Sequence, residues 1–130
     1  MGEADPSRLR HARFDGPSLD LRLLRARVLG DLRRGSLQPI DVCDADRQLI
    51  DAATSFGVVL RDPCPVCEER GLRQVAYGFG KGLPASGQVV GGQLNDSAML
   101  GVRDLNVCIV EVCTTCRWNF MVERRFKRAN

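Results

Sequence analysis

Four of the six cysteines in this 130-residue chain fall in two pairs of one design, Cys64-Pro65-Val66-Cys67 and Cys113-Thr114-Thr115-Cys116. Two residues between cysteines let one tight turn aim both sulfurs at the same point, while backbone N–H groups in the turn donate to the thiolates. Two such turns complete a tetrahedral, all-sulfur set, the ligand set of one structural Zn2+ ion. Pro63 and Pro65 fix φ on either side of Cys64 and fit poorly within a ladder of strand hydrogen bonds, so the first pair is expected on a turn. The stretch 68–112 between the pairs is longer than the roughly 15 to 20 residues of the compact zinc template, which implies an insertion between the two ligand turns.

Other chemistry is open to these thiols. A redox dithiol needs a strand leading into the Cys-x-x-Cys motif and a helix running from it, whereas Cys64 follows Arg61-Asp62-Pro63. Disulfides need an oxidising compartment. Residues Met1 to Arg10 carry no apolar export segment, so a cytoplasmic location with reduced thiols is expected. Two pairs therefore favour a metal. Zinc is the first expectation, and iron stays open because four thiolates also serve iron.

A chain of this length falls in the range of one domain, and 44% hydrophobic content is ordinary for a globular protein, but aromatic residues make up only 5%. A thin β core of that kind gains from a metal, since structural zinc contributes folding free energy directly. No run approaches the ~20 apolar residues needed to cross a bilayer, so no membrane association is expected. The formal net charge is +3; four thiolates around one dication would lower it to about +1. That excludes a globally basic nucleic-acid binder. Arginine nevertheless outnumbers acid over residues 1–35 and again from Arg117 onward. Such asymmetry can attract phosphate or an acidic partner surface, although charge runs are usually solvated faces.

Local patterns place the cysteine turns within a coarse architecture. Residues 1–17 mix Gly, Pro and charge without apolar periodicity and are expected to be a disordered lead-in. A helix is predicted from Ser18, whose hydroxyl can cap it, to about Arg34, with Leu21, Leu24, Val28 and Leu32 on one face and Gly35 as a left-handed C-terminal cap. Pro39 suits the first turn of a second helix. Asp44 or Asp46 can cap a third through Phe56, with Leu49, Ile50, Ala53 and Phe56 at core spacing and Gly57 ending it. A helix-turn-helix reading is weak, because the segment Asp46 to Phe56 offers only Arg47 to a phosphate backbone.

The C-terminal half reads as strands. Val75, Tyr77 and Phe79 alternate with Gln74, Ala76 and Gly78, a β-branched run spans Leu105 to Val112, and Trp118, Phe120 and Val122 alternate beyond the second cysteine turn. Glycines 78, 80, 82, 87, 91 and 92 mark a mobile hairpin, with a short helical insert expected around Asp96 to Leu100. Gly78-Phe79-Gly80-Lys81-Gly82 is no phosphate loop, since that motif needs four residues between its glycines and Ser or Thr after the Lys.

Cys43 and Cys108 are expected to pack as small apolar groups, Cys108 sharing strand parity with Val110 and Val112. The single histidine, His11, lies in the lead-in, which leaves no imidazole to activate a thiol. A four-sulfur site also lacks the open position that catalytic zinc keeps. No catalytic residues are nominated, and the chain is expected not to be an enzyme.

The strings Asp41-Val42-Cys43-Asp44-Ala45, Pro63-Cys64-Pro65-Val66-Cys67, Tyr77-Gly78-Phe79-Gly80, Ser86-Gly87 and Val110-Glu111-Val112-Cys113-x-x-Cys116-x-Trp118-Asn119 resemble the small actinobacterial proteins grouped as domain of unknown function family 5318. The resemblance covers about residues 18–122, and its most specific part is the closing string. It implies a cytosolic bacterial protein with a helical N-terminal part joined to a zinc-ribbon-like part, and the family has no assigned activity to carry over.

The resulting expectation is an α+β chain: lead-in 1–17, helical part 18–57, a zinc-ribbon-like antiparallel sheet over 58–123 with a glycine-rich insertion, and a basic tail 124–130. Cys64, Cys67, Cys113 and Cys116 would hold one structural Zn2+. The function expected is a non-enzymatic adaptor or regulator with a macromolecular partner, protein in preference to nucleic acid, in a transcription-associated setting suggested by analogy with other zinc ribbons. The alternative is a thiol-based redox or zinc-release sensor. No small-molecule substrate is evident.

Overall fold

The computed structural model describes residues 18–81, 88–91 and 103–126. In chain order the elements are β1 (Ser18–Asp20), α1 (Arg22–Arg33), α2 (Pro39–Val42), α3 (Arg47–Phe56), β2 (Val58–Val59), β3 (Leu72–Lys81), β4 (Gln88–Gly91), β5 (Arg103–Cys113) and β6 (Asn119–Phe126). The strands make one sheet in the order β1-β6-β5-β3-β2, with β4 also on β3, and every pairing is antiparallel. This is the expected α+β fold. None of the described helices is long and apolar enough to cross a membrane.

The sheet is covered on both sides at its centre. Pairing of Leu72 with Cys113 and of Gln74 with Glu111 puts these four on one face, and the period of two puts Val75, Val110 and Val112 on the other. On the first face Leu29 of α1 packs with Leu72, Cys113 and Trp118. On the second, Ala45 and the α3 residues Ala52 and Ala53 pack with Val75 and Val112. Gln74, Val75 and Ala76 are consequently all buried, so β3 lacks the half-buried alternation expected of it over those positions. Phe79, beyond the cover of α3, is 37% exposed.

Two helix expectations need correction. Ser18 does not cap α1: residues Ser18–Asp20 pair with β6 through Ser18↔Arg125, Leu19↔Arg124 and Asp20↔Glu123, and the Leu21 N–H continues that contact to the Val122 carbonyl at 2.9 Å. Three residues at a sheet edge leave no readable period, and the capping hydroxyl was the stronger local signal. The helix begins at Arg22, where the Asp20 carboxylate accepts from the Arg22 N–H at 3.0 Å. Its inner stripe is also rotated. Leu29 is the buried residue, Val28 and Leu32 pack beside it, and Leu24 is 48% exposed. The C-terminus follows expectation, with Gly35 at φ 80 and the Ser36 N–H reaching the Asp31 carbonyl at 2.9 Å.

Pro39 opens α2, and the Asp41 carboxylate accepts from the Gln38 N–H at 2.8 Å. Of the two capping candidates for α3, Asp46 does the work, accepting from the Leu49 N–H at 2.8 Å. The helix stops at Gly57, where an added Cβ would lie 2.3 Å from the Ala53 carbonyl oxygen. Phe56 is 59% exposed and leaves the core to Ala52 and Ala53, because small residues let α3 approach the sheet closely. Pairing of β3 with β4 through Tyr77↔Val89 forms the glycine-rich hairpin. The lead-in 1–17 with His11, the hairpin residues 82–87, the insert expected around Asp96 to Leu100 and the end of the tail, 127–130, lie outside the described residues.

Candidate metal centre

Each cysteine pair sits on a turn closed by the same two backbone hydrogen bonds. In the first, the Glu68 N–H donates to the Cys64 carbonyl at 3.0 Å and the Cys64 N–H to the Glu69 carbonyl at 2.9 Å. In the second, the Arg117 N–H donates to the Cys113 carbonyl at 3.0 Å and the Cys113 N–H to the Trp118 carbonyl at 2.8 Å. The residue after each second cysteine is left-handed, Glu68 at φ 66 and Arg117 at φ 73; these are the non-glycine residues at positive φ among those described. Inside each turn, N–H groups point at the first sulfur: Val66 to Cys64 Sγ at 3.4 Å, Thr115 to Cys113 Sγ at 3.4 Å and Cys116 to Cys113 Sγ at 3.5 Å. The two turns are one construction used twice.

The sheet brings them together. The second turn joins β5 to β6, and Leu72 at the start of β3 pairs with Cys113 at the end of β5. Just before β3, the Gly71 carbonyl accepts from the Thr114 N–H at 3.0 Å and from Thr114 Oγ1 at 3.3 Å. A Cβ at Gly71 would stand 2.8 Å from Thr115 Oγ1, so glycine allows this approach. Between β2 and β3, the connection carries the first turn back to the same end of the sheet, with the Leu60 N–H donating to the Leu72 carbonyl at 3.0 Å.

The four sulfurs all lie within 4.8 Å of one another, with Cys64 Sγ 3.6 Å from Cys116 Sγ and Cys67 Sγ 3.7 Å from Cys113 Sγ. Cys64 and Cys113 are buried, Cys67 and Cys116 half-buried. Leu29, Leu72 and Trp118 pack around them as one apolar cluster. That surrounding dominates the protonation of two of the metal-free thiols, Cys64 and Cys116. Burial pushes Cys64 up to about 11, against the pull of the Cys67 and Val66 N–H groups. Burial also raises Cys116, and sharing a proton with Cys64 and Cys43 adds to the rise. Cys113 is buried too, but the Cys116 and Thr115 N–H groups and the neighbouring thiols outweigh burial and bring it below its ordinary value. Among the described residues this is the group of cysteines able to hold a metal ion.

A second layer ties α1 to the site. Glu111 is buried, and its Oε2 accepts from Trp118 Nε1 at 2.7 Å and from Arg25 Nε at 2.9 Å. The Trp118 ring, fully buried, stacks on Phe120 with centroids 5.8 Å apart. Sequence reasoning missed this layer, and although Cys43 packs half-buried against the apolar cluster as expected, it did not foresee that the Cys43 thiol lies 3.7 Å from Cys116 Sγ. A readable signal existed for Arg25, which stands four residues from both Leu21 and Leu29 and hence on the apolar stripe. Nothing comparable marked Cys43. Cys108, on β5, pairs across to Arg124 away from this cluster, and burial raises its thiol.

The strained turn residues give a local test. Glu68 is exposed and its left-handed backbone suits glycine best. Glu68→Gly should therefore leave the urea midpoint at or above wild type, while Glu68→Val should lose about 1–3 kcal/mol, since β-branched residues tolerate positive φ worst. Equal stability of the two variants would contradict the turn geometry.

The fold and site together define a small α+β protein with a four-cysteine candidate metal centre built from two matching turns. The sequence profile of a family described as "Family of unknown function (DUF5318)" matches residues 12–127, and the chain belongs to that family. It is similar to uncharacterised proteins of Mycobacterium tuberculosis (Rv0049, and MT0055 in a second strain) and Mycobacterium bovis (Mb0050). Each is 34% identical over 108 residues, covering 81% of this chain and 77% of the relative. No solved structure matches.

Proposed function

We propose that the protein is a non-enzymatic adaptor or regulatory protein in which Cys64, Cys67, Cys113 and Cys116 hold one structural Zn2+. The observation that carries this reading is the pair of matching turns with sulfurs 3.6 and 3.7 Å apart across them. Tetrahedral zinc with Zn–S bonds of about 2.3 Å sets its sulfurs about 3.8 Å apart, so the set fits with small adjustment. The N–H groups aimed at Cys64 and Cys113 are the donors that thiolate ligands need. Four sulfurs saturate the ion and leave its role as a clamp on the β3, β5 and β6 ends. Iron suits the same donors, and elemental analysis separates the two. Purified wild type should carry close to one equivalent of zinc and Cys64→Ser well under that; wild type without bound metal would end the reading.

The outer surface supports a macromolecular partner. Leu23 and Ile40 are 88% and 80% exposed, and Arg22, Arg27, Arg33 and Arg34 stand exposed along α1. Mixed apolar and arginine surface suits protein recognition better than phosphate recognition. A transcription-associated setting rests on analogy with other zinc platforms. Nucleic-acid affinity that falls steeply with salt would move the reading toward nucleic acid, and absent binding would leave the protein partner, to be sought by pull-down from native cytosol.

The thiol protonation fixes a pH dependence. Cys64 and Cys116 are raised in the metal-free chain, so each keeps its proton at neutral pH and surrenders it when zinc binds. These two protons alone make the zinc dissociation constant fall at least about 100-fold per pH unit between pH 6 and 8. Chelator competition measures this, and a flat profile would contradict the assignment. In the metal-free chain the raised Cys64 thiol has the opposite consequence: its stabilisation is full below the ordinary value of 9.0 and is lost as pH rises through about 11.

A further inference from the structure

The fifth thiol at the metal centre has a built position. Cys43 leaves α2, and the segment after it is fastened to the exit of the second cysteine turn by three hydrogen bonds. The Ala45 N–H donates to the Arg117 carbonyl at 3.1 Å, Arg117 Nη1 donates to the Ala45 carbonyl at 3.2 Å, and Asn119 Nδ2 donates to Asp44 Oδ1 at 2.8 Å. This clamp holds Cys43 Sγ 3.7 Å from Cys116 Sγ, as close as the candidate ligand sulfurs stand to one another. A thiol that merely filled space would need no such alignment.

We infer that Cys43 is the peroxide-reacting thiol of the metal site and Cys116 its resolving partner: a hydroperoxide converts Cys43 and Cys116 to a disulfide, and the four-sulfur set opens. The inference rests on the zinc reading above and concerns the regulation of that site. With the ion in place, Cys64, Cys67, Cys113 and Cys116 are all engaged, and Cys43 is the uncommitted thiol in the cluster. Hydroperoxide oxidises the Cys43 thiol to a sulfenic acid, its O–O bond breaks, and one water (or alcohol) leaves. The Cys116 thiolate then attacks the Cys43 sulfur, forming the S–S bond and expelling hydroxide. Two electrons pass from the sulfur pair to the peroxide. The sulfurs must close from 3.7 Å to about 2.05 Å. Cys43 begins the irregular segment between α2 and α3 and caps α2, its N–H donating to the Pro39 carbonyl at 2.8 Å, so closure draws on this segment and on the last turn of a four-residue helix. The ligand set falls from four sulfurs to three and holds the ion less tightly. A dithiol reverses the step by exchange.

The test uses the full, metal-loaded chain, its metal content measured first, then hydrogen peroxide with a chromogenic chelator to follow release and non-reducing peptide mapping to locate the bond. Wild type should release its zinc and yield a Cys43–Cys116 linked peptide, and dithiothreitol with added zinc should restore the loaded state. Cys43→Ser, with Cys43→Ala as a second variant against misfolding, should release at least about tenfold more slowly and form no such peptide. Cys108→Ser should behave as wild type. Equal release from loaded wild type and both Cys43 variants, or a first disulfide confined to the four ligand cysteines, would overturn the inference and leave the zinc reading standing. Wild type that carries no metal before peroxide overturns both.

Discussion

Removal of the metal by a strong chelator is expected to unfold the end of the sheet that carries the cysteine turns, with Trp118 as the reporter. Trp118 is the single tryptophan and is fully buried in the cluster that includes Cys64, Cys113, Leu29 and Leu72. Two of the five buried residues of that cluster are candidate metal ligands, Cys64 and Cys113. Apparent binding free energies of structural zinc at neutral pH run to about 10–16 kcal/mol, whereas a whole domain of this size is stable by about 5–15 kcal/mol. The ion can therefore supply most of the margin. Without it, the turns must keep Glu68 and Arg117 left-handed with only their closing hydrogen bonds, and four partly buried thiols lose their common partner. Trp118 emission should shift to the red, near-ultraviolet dichroism should collapse, and added Zn2+ should restore both. Cys113→Ser should resemble the chelated protein even in excess zinc. Metal-free protein, verified by elemental analysis, with unchanged emission and melting temperature would contradict a structural role for the ion.

The site was legible because its chemistry is written in short-range spacing. Two cysteines three positions apart can share one turn, and the prolines around Cys64 favour a turn there over a helix or a ladder strand. The long stretch 68–112 between the pairs holds β3, β4 and most of β5. Helix ends with chemical markers were legible for the same reason: Gly35, Pro39, Asp46 and Gly57 act through their own backbone or the next turn.

What failed depends on contacts remote in sequence. β1 exists because β6 offers an edge, and nothing between Ser18 and Asp20 announces that partner about 100 residues away. Phe56 looked like core by spacing, yet α3 meets the sheet through Ala52 and Ala53, and a close approach of backbone excludes the larger ring. Cys43 and Cys116 are 73 positions apart, and only the clamp between residues 44–45 and 117–119 makes neighbours of them. A charged residue on an apolar stripe, Arg25, was a local sign of a remote partner that spacing alone could not name.

That partner, Glu111, yields the other large effect. Glu111→Ala should destabilise the protein by about 3 kcal/mol, because it strands the indole N–H of Trp118 without water and leaves the Arg25 guanidinium facing an apolar wall. Arg25→Ala should lose less, about 1 kcal/mol, since the Arg25 side chain is 26% exposed while that of Glu111 is 8% exposed. The contrast identifies which bond matters. If the ion pair dominated, replacing both residues by leucine would recover most of the loss, as buried pairs often allow. Here the double leucine variant should still fall short of wild type by about 1–2 kcal/mol, the expected deficit for one buried donor left unmade. The same variants should release zinc faster, because the Trp118 carbonyl receives the Cys113 N–H and closes the second turn. Urea midpoints followed by far-ultraviolet dichroism, paired with chelator-driven release rates, separate the two effects. A Glu111→Ala protein as stable as wild type would mean that the carboxylate is a bystander, and the link from α1 through Trp118 to the cysteine turn would then lie in apolar packing alone.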